Sequence, residues 1–351
     1  MTKLNVRLIL ISIILILVTS IVFSVSTFAL NLNIKERKIV VFNDDVSNIQ
    51  QEKILNKHGA EKLKDLTKIN AKVISISKNS NLKDEDKIKY IEDDIILSIS
   101  KHPKTKTPKA TPLATPTQPS QIIPWGIDYM EVQQYWDSTN IDSVKVGIVD
   151  TGISLNHPDL VDNVKGGFNT INNNKSANDD NGHGTFVAGI VAAANNEIGV
   201  VGMVPDVDLY AIKVLDSNGN GYLSDIIEGI EWAINNDMNF LNLSFGNGNN
   251  SESLHEIIIK AYDSGITMVA AAGNNYGRYS DYPAAYPEVM SIGAINKDGD
   301  VAVFSATTGV DIFAPGVEIY STYKDGLYTN MDGTSFASPH VCGKLILSTR
   351  F

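Results

Sequence analysis

The chain has 351 residues, 43% of them hydrophobic and 20% charged, a balance that excludes a disordered polypeptide and leaves room for one large core with an accessory region. Its single cysteine, Cys342, excludes an internal disulfide framework and any cysteine-based zinc site. The net charge of -11 is unevenly spread, with 17 basic against 12 acidic residues over 31–120 and 10 against 28 over 121–351. This asymmetry predicts attraction between a basic first module and an acidic second one. No basic cluster with interleaved aromatics occurs in the larger part, which argues against nucleic acid as a partner.

At the N-terminus, Lys3 and Arg7 precede an uncharged apolar run, Leu8 to Leu30, which reads as a secretory signal or a membrane anchor. The small residues of Thr27-Phe28-Ala29 favour a cleaved signal over 1–29. Either reading places the remainder outside the membrane, with membrane contact expected only through this segment.

Residues 30–100 predict a small α+β module. Lys38–Phe42 reads as a strand, Val46–Gly59 as an amphipathic helix and Ala71–Ile76 as an alternating strand. Asp84–Tyr90 reads as a second helix and Ile91–Ile99 as a final strand, an order of βαββαβ or a version lacking one strand, which suggests a ferredoxin-like unit. Residues 101–120 hold Pro103, Pro108, Pro112, Pro116 and Pro119 among Lys and Thr. Such a stretch builds no core and predicts an extended, cleavable linker.

From residue 121 to 351 apolar strands alternate with helices. Strands are expected at Val144–Val149, Asp208–Val214, Asn239–Ser244, Thr267–Ala271 and Val289–Ala294, and helices at Gly184–Ala194, Ser224–Asn235 and Glu252–Ser264. Continuous apolar strands with helical crossovers imply an α/β fold with a doubly wound, mostly parallel sheet. Sites in such folds gather at the carboxyl ends of the strands. Asp150, Ser244 and Asn274 all fall just past a strand's end, so they are expected to share one crevice.

Three glycine-flanked motifs carry the chemistry. Asp150-Thr151-Gly152 follows an apolar strand, Gly182-His183-Gly184-Thr185 opens an apolar helix, and Gly333-Thr334-Ser335 enters another apolar run. An isolated serine there reads as a helix cap, but Asp, His and Ser in this order are the parts of a nucleophilic triad. A serine hydroxyl is a poor nucleophile, so His183 is expected to take its proton and Asp150 to fix the histidine's tautomer. The sequence Gly333-Thr334-Ser335-Phe336-Ala337 lacks the second glycine of a Gly-x-Ser-x-Gly elbow, which argues against an esterase of that type.

Together with His157-Pro158-Asp159-Leu160 and Ala272-Gly273-Asn274, these motifs resemble the subtilisin-like serine proteases over about Gln121 to Val341. The module before the linker resembles the same family's inhibitory propeptide, which would act as an intramolecular inhibitor and partner. The resemblance implies that Asn274 and the Ser335 N–H stabilise the oxyanion. Ser244, Phe245 and Gly246, with Ala271, Ala272 and Gly273, would line the S1 pocket. Gly219, Asn220 and Gly221 would form the edge to which a peptide substrate adds as a strand. It further implies a Ca2+ site built from Gln121, Asp159, Asn196 and the carbonyls around Ala194, Ile198 and Val200, an oxygen set that suits a hard cation. A second calcium candidate, Asp216-Ser217-Asn218-Gly219-Asn220-Gly221, fails as an EF-hand loop because its twelfth position is Ile227.

The chain departs from the family's pattern near its end, stopping 16 residues after Ser335. Lys344 is expected to protrude or to disturb its helix. Phe336, Leu345, Ile346 and Leu347 are expected to be exposed, leaving the chain marginally stable or inactive. Two functions follow from the sequence. One is a secreted, calcium-stabilised serine endopeptidase matured by self-cleavage of its propeptide. The other is a non-catalytic product that binds peptide or propeptide without turnover.

Overall fold

The computed structural model describes residues 34–99, 118–136 and 143–348. The N-terminal apolar segment and nearly all of the proline-rich linker lie outside the described residues. Two compact units are formed, one by 34–65 with 70–94 and one by 66–69 with 95–348.

The first unit contains β1 (Lys35–Phe42), α1 (Asn48–Lys57), β2 (Glu61–Leu66), β3 (Ala71–Ser77) and β4 (Ile88–Asp93), with sheet order β2-β3-β1-β4. Helix α1 starts where the Gln50 side chain accepts the Ser47 N–H at 2.9 Å, half of a capping box. Its Ile54 and Leu55 close the core with Val40, Phe42, Ile74 and Ile76. The helix expected at Asp84–Tyr90 is absent. A 3-10 turn (Leu82–Asp84) leads instead into β4, which pairs antiparallel with β1, Val40 opposite Ile91 and Val41 opposite Tyr90. The three-residue spacing of Ile88 and Ile91 fits a helix, but the otherwise unpaired edge of β1 rewards an extended chain more. The unit therefore runs β-α-β-β-β in place of the expected βαββαβ, and the strand expected at Ile91–Ile99 begins earlier, at Ile88, and stops at Asp93.

The second unit runs through β5 (Ile96–Ser98), α2 (Trp125–Tyr129), β6 (Lys145–Asp150), β7 (Val164–Asn169), α3 (His183–Ala192), β8 (Asp208–Lys213), β9 (Asn220–Tyr222), α4 (Leu223–Asn235), β10 (Phe240–Leu243), α5 (Glu252–Asp263), β11 (Thr267–Ala271), β12 (Val289–Ile295), β13 (Ile312–Pro315), β14 (Ile319–Tyr323), β15 (Leu327–Met331) and α6 (Thr334–Ser348). Seven strands form one sheet, ordered β13-β12-β11-β10-β6-β8-β7, and every adjacent pair is parallel. The expected α/β fold with a doubly wound sheet is thus present. The sequence pattern misses β7, whose Gly166 and Gly167 dilute its apolar signal, and β13, which ends on Pro315. Both are edge strands, where Gly and Pro are tolerated.

Helices α3 and α6 pack on each other, α3 against β6 and α6 against β10 to β13. The hairpin β14–β15 covers α3, with the Thr322 hydroxyl donating to the Thr185 carbonyl at 2.7 Å and Ser321 to that of Phe186 at 2.9 Å. Helix α4 packs against α5 and against β6, β7 and β8.

The end of α6 differs from the sequence expectation. Phe336, Ile346 and Leu347 are buried and Leu345 is partly buried against the same core. Each such large side chain contributes ~1.5–3 kcal/mol when fully buried. Lys344 does not disturb the helix. It is half-buried, its ammonium donating to the Met130 carbonyl at 2.9 Å and lying 5.6 Å from the Tyr135 ring centroid. Its aliphatic stem packs while its charge is met by a carbonyl and a π-face.

His340, one turn beyond Ser335, is fully buried in α6. Its Nδ1–H donates to the Phe336 carbonyl at 2.8 Å, while Nε2 is buried without a hydrogen-bond partner among the described residues. Gly126 makes room for it, since a Cβ there would sit 2.4 Å from Nε2. Burial pushes the imidazole pKa from 6.5 down to about 4, opposed by the bond to Phe336. The folded chain thus holds His340 neutral, whereas the unfolded chain protonates it below about 6.5. Its contribution is fully present above that pH and is lost as the pH falls through about 4, a swing on the order of 3 kcal/mol. Denaturant unfolding of the parent and of His340→Gln across pH 7 to 4 should show a shallower acid loss in the variant. Parallel stability curves would contradict the assignment.

Candidate active site

Asp150 ends the central strand β6, fully buried. Both of its carboxylate oxygens accept from His183 Nδ1, at 2.8 and 2.9 Å, and Oδ1 also accepts the Thr151 N–H at 2.7 Å. This arrangement leaves His183 with its proton on Nδ1 and its Nε2 lone pair as the basic position. His183 is the first residue of α3 and only 1% exposed, so the pair lies in a low-dielectric setting that strengthens it. The close approach of strand and helix depends on Gly184, where a Cβ would lie 2.2 Å from the Gly152 carbonyl oxygen.

Asp179, absent from the sequence-derived site, organises the turn before His183. Its Oδ1 accepts from Thr151 Oγ1 and from the Asn181 and Gly182 N–H groups, each at 2.9 Å. Its Oδ2 accepts from the Thr185 N–H at 3.0 Å and from Thr185 Oγ1 at 2.6 Å. A carboxylate at the N-terminus of α3 satisfies orphan helix donors and complements the helix dipole. Thr151 Oγ1 in turn accepts the Gly184 N–H at 2.9 Å, so one network ties the Asp150 loop to the histidine helix. Beneath it the buried Lys213 ammonium donates to the Thr151 and Leu215 carbonyls and to Asp180 Oδ1 at 2.7 Å. Asp-Asp-Asn-Gly before His183 is a readable capping signal, whereas nothing local in the sequence marks Lys213.

Ser335 lies in the first turn of α6, and Phe336 beside it packs its ring 5.4 Å from that of His183. The Ser335 hydroxyl donates to the Ser244 carbonyl at 3.1 Å, and the Ser335 carbonyl accepts from Ser244 Oγ at 2.8 Å. Ser244 Oγ is itself held by Asn242 Nδ2 at 2.7 Å and lies 3.0 Å from Ser338 Oγ. The end of β10 thereby fixes the turn that carries the serine.

Asn274 follows β11. Its Oδ1 accepts from the Thr334 N–H and the Thr334 hydroxyl, both at 3.0 Å, and Thr334 Oγ1 accepts from the Gly273 N–H at 3.1 Å. These bonds assign the amide orientation and leave Nδ2 buried without a hydrogen-bond partner among the described residues. An unsatisfied buried donor costs about 1–3 kcal/mol and calls for an acceptor at that point.

The segments expected to bind substrate also converge. Ser244, Phe245 and Gly246 leave β10 beside Ala271, Ala272 and Gly273 at the end of the adjacent β11; Phe245 is fully buried and offers only its backbone. Asn220 and Gly221 lie in β9, which Gly219 directly precedes, and β5 pairs antiparallel with β9, Ile96 opposite Tyr222 and Ser98 opposite Asn220. The Ile99 N–H donates to the Gly219 carbonyl at 3.0 Å, and the Gly246 N–H to the Ser98 carbonyl at 3.1 Å. An extended segment of the chain thus bridges two of the predicted substrate-binding edges, as β-augmentation requires.

The six residues expected to hold a cation meet at one place. Asp159 is fully buried; its Oδ1 accepts from Asn196 Nδ2 and its Oδ2 from the Val200 N–H, both at 2.9 Å. Gln121 Oε1 accepts the Asn196 N–H at 2.6 Å, Asn196 Oδ1 accepts the Ile198 N–H at 2.8 Å, and the Ala194 N–H donates to the Asp159 carbonyl at 2.9 Å. Burial pushes the Asp159 pKa up, and no cationic side chain pairs with it among the described residues. No group of three or more His, Cys, Asp or Glu forms a metal cluster among the described residues. A buried carboxylate with no cationic partner among the described residues, in one cluster with the side-chain amides of Gln121 and Asn196, suits a hard divalent cation.

Residues 142–350 match the Subtilase family. The chain is 45% identical to a thermostable alkaline protease of Halalkalibacterium halodurans over 227 residues, 64% of this chain and 62% of that protein, so it spans about three-fifths of that relative. It is 45% identical to subtilisin DY of Bacillus licheniformis over 241 residues, 65% of this chain and 86% of the relative. With subtilisin amylosacchariticus of Bacillus subtilis it shares 37% identity over 317 residues, 86% of this chain and 77% of the relative. On its matched sequence and its parallel seven-stranded sheet, the chain belongs to the subtilase family.

Proposed function

We propose that the chain is a secreted, calcium-stabilised serine endopeptidase that cleaves peptide bonds by acyl transfer. The observation that carries this reading is the Asp150–His183 pair, with Nδ1 shared between two buried carboxylate oxygens and the Ser335 turn packed against the same histidine. His183 Nε2 takes the proton of the Ser335 hydroxyl as Oγ attacks the peptide carbonyl. The resulting oxyanion accepts from Asn274 Nδ2 and from the Ser335 N–H. The imidazolium, stabilised by Asp150, then protonates the leaving amine, and water repeats the sequence in reverse to free the acid.

Peptide substrates add as a strand along 219–221 and 246. The pairing of β5 at those edges supports this binding mode and supports residues 30–100 as an inhibitory propeptide removed by self-cleavage between 100 and 121. Export is supported by the apolar run Leu8 to Leu30. The cation is Ca2+, held by Gln121, Asp159, Asn196 and carbonyls around Ala194, Ile198 and Val200. When bound it supplies positive charge to the buried Asp159 and ties the chain at Gln121 to the loop 194–200.

Two experiments test this function. A serine-directed phosphonate should attach to Ser335 in the parent and fail to attach in His183→Ala of unchanged melting temperature. Ser335→Ala should retain only the residual catalysis of binding and the oxyanion donors, on the order of a thousandfold over water. Attachment to a different serine, or none on a folded protein, would sink the triad. Separately, calcium at about a hundredfold over its Kd should raise the melting temperature by roughly 5–10 °C. Asp159→Asn should remove both that rise and the calorimetric signal of calcium binding. An undiminished rise in the variant would place the cation elsewhere.

A further inference from the structure

Asp281 lies between the two strand ends expected to line the S1 pocket. Its N–H donates to the Ala272 carbonyl at 2.8 Å, while the next residue, Tyr282, exchanges two backbone hydrogen bonds with Asn247 at 2.8 and 3.0 Å. The segment therefore bridges the continuation of β10 and the end of β11. The glycines opposite it bring its side chain against both. A Cβ on Gly246 would lie 3.1 Å from the Asp281 Cβ, and a Cβ on Gly273 would lie 2.3 Å from its Oδ2. Gly273, which this carboxylate approaches, immediately precedes Asn274, the proposed oxyanion donor.

The carboxylate is poorly satisfied where it sits. It is half-buried, and its one side-chain hydrogen bond among the described residues is a long 3.4 Å approach of Asn275 Nδ2 to Oδ1. No Lys, Arg or His forms an ion pair with it among the described residues. Arg278, the nearest basic residue in sequence, is exposed, and its backbone N–H is used on Asn275 Oδ1. Burial raises the Asp281 pKa, with the Asn275 contact opposing it. The remaining lining, Ser244, Gly246, Ala271, Ala272 and Gly273, carries no charge. A partly desolvated acid with no counter-ion, at the end of an otherwise neutral cleft of small residues, is stabilised by an incoming cation.

We propose that Asp281 is the specificity-determining residue of this cleft and selects peptides with Arg or Lys immediately before the scissile bond. This inference rests on the peptidase reading above. A guanidinium pairs with such a carboxylate bidentately and an ammonium through a single point charge, so Arg is favoured over Lys. An acidic side chain at the same position meets like charge and is rejected.

The test compares the full-length parent with Asp281→Asn on peptide substrates that differ only at the residue before the scissile bond, with Arg, Lys, Phe, Leu or Glu there. The parent should cleave the Arg and Lys peptides fastest and the Glu peptide slowest. Asp281→Asn should lose about 10- to 100-fold in kcat/KM on Arg and Lys while changing little on Phe and Leu. Binding of benzamidine, an aromatic amidinium, is measured alongside by its effect on melting temperature, which needs no turnover. It should stabilise the parent and leave Asp281→Asn unmoved. Identical cleavage profiles in the two proteins, or equal benzamidine stabilisation of both, would overturn the assignment. Loss of all cleavage with benzamidine discrimination intact would instead refute the peptidase reading and leave Asp281 as a cation-selecting residue.

Discussion

The first turn of α6 is the constraint on which the site depends. It is hydrogen-bonded from two neighbouring parallel strands, from β10 through Ser244 and from β11 through Gly273 and Asn274. Because these strands belong to the buried sheet, the turn carrying Ser335 inherits the sheet's rigidity rather than a loop's freedom. The same bonds orient Asn274, since an amide whose oxygen is used by Thr334 must turn its nitrogen away from Thr334. Positioning of Ser335, the proposed nucleophile, and of Asn274, the proposed oxyanion donor, is therefore one event.

The second anchor is the seam between β6 and α3. Gly184 lets the helix touch the Asp150 loop, and Asp179 gathers five donors from both sides of that seam. Buried carboxylates are costly unless every lone pair is used, and here both acids are placed where helix and loop N–H groups converge. Asp281 follows the opposite logic. Among the described residues its lone pairs are largely unspent, which suits a group whose proposed partner arrives with substrate.

Much of this is legible in the sequence, and the reasons differ by element. Asp150, His183 and Ser335 stand out because each sits beside glycines that a strand-to-loop or loop-to-helix junction needs, and junction chemistry is local. The central strands were readable because both faces are buried, which leaves continuous apolar runs. The edge strands β7 and β13 were not, since exposure and Gly or Pro erase that pattern. The helix expected at Asp84–Tyr90 failed because the pairing edge of β1, about 45 residues away in sequence, decided the local conformation. Lys344 was misjudged for a similar reason: the Met130 carbonyl and the Tyr135 ring that receive it come from a distant segment. Asp281 and Lys213 show the same limit, because a charge's role depends on neighbours that only the fold supplies.

The most direct measurement is a crystal structure of the full chain with a peptide boronic acid, whose tetrahedral adduct mimics the acyl-transfer intermediate. The account predicts boron bonded to Ser335 Oγ, with one boronate oxygen within hydrogen-bond distance of both Asn274 Nδ2 and the Ser335 N–H. A boron bonded to any other atom, or an Asn274 amide turned to a protein acceptor while the adduct forms, would contradict it.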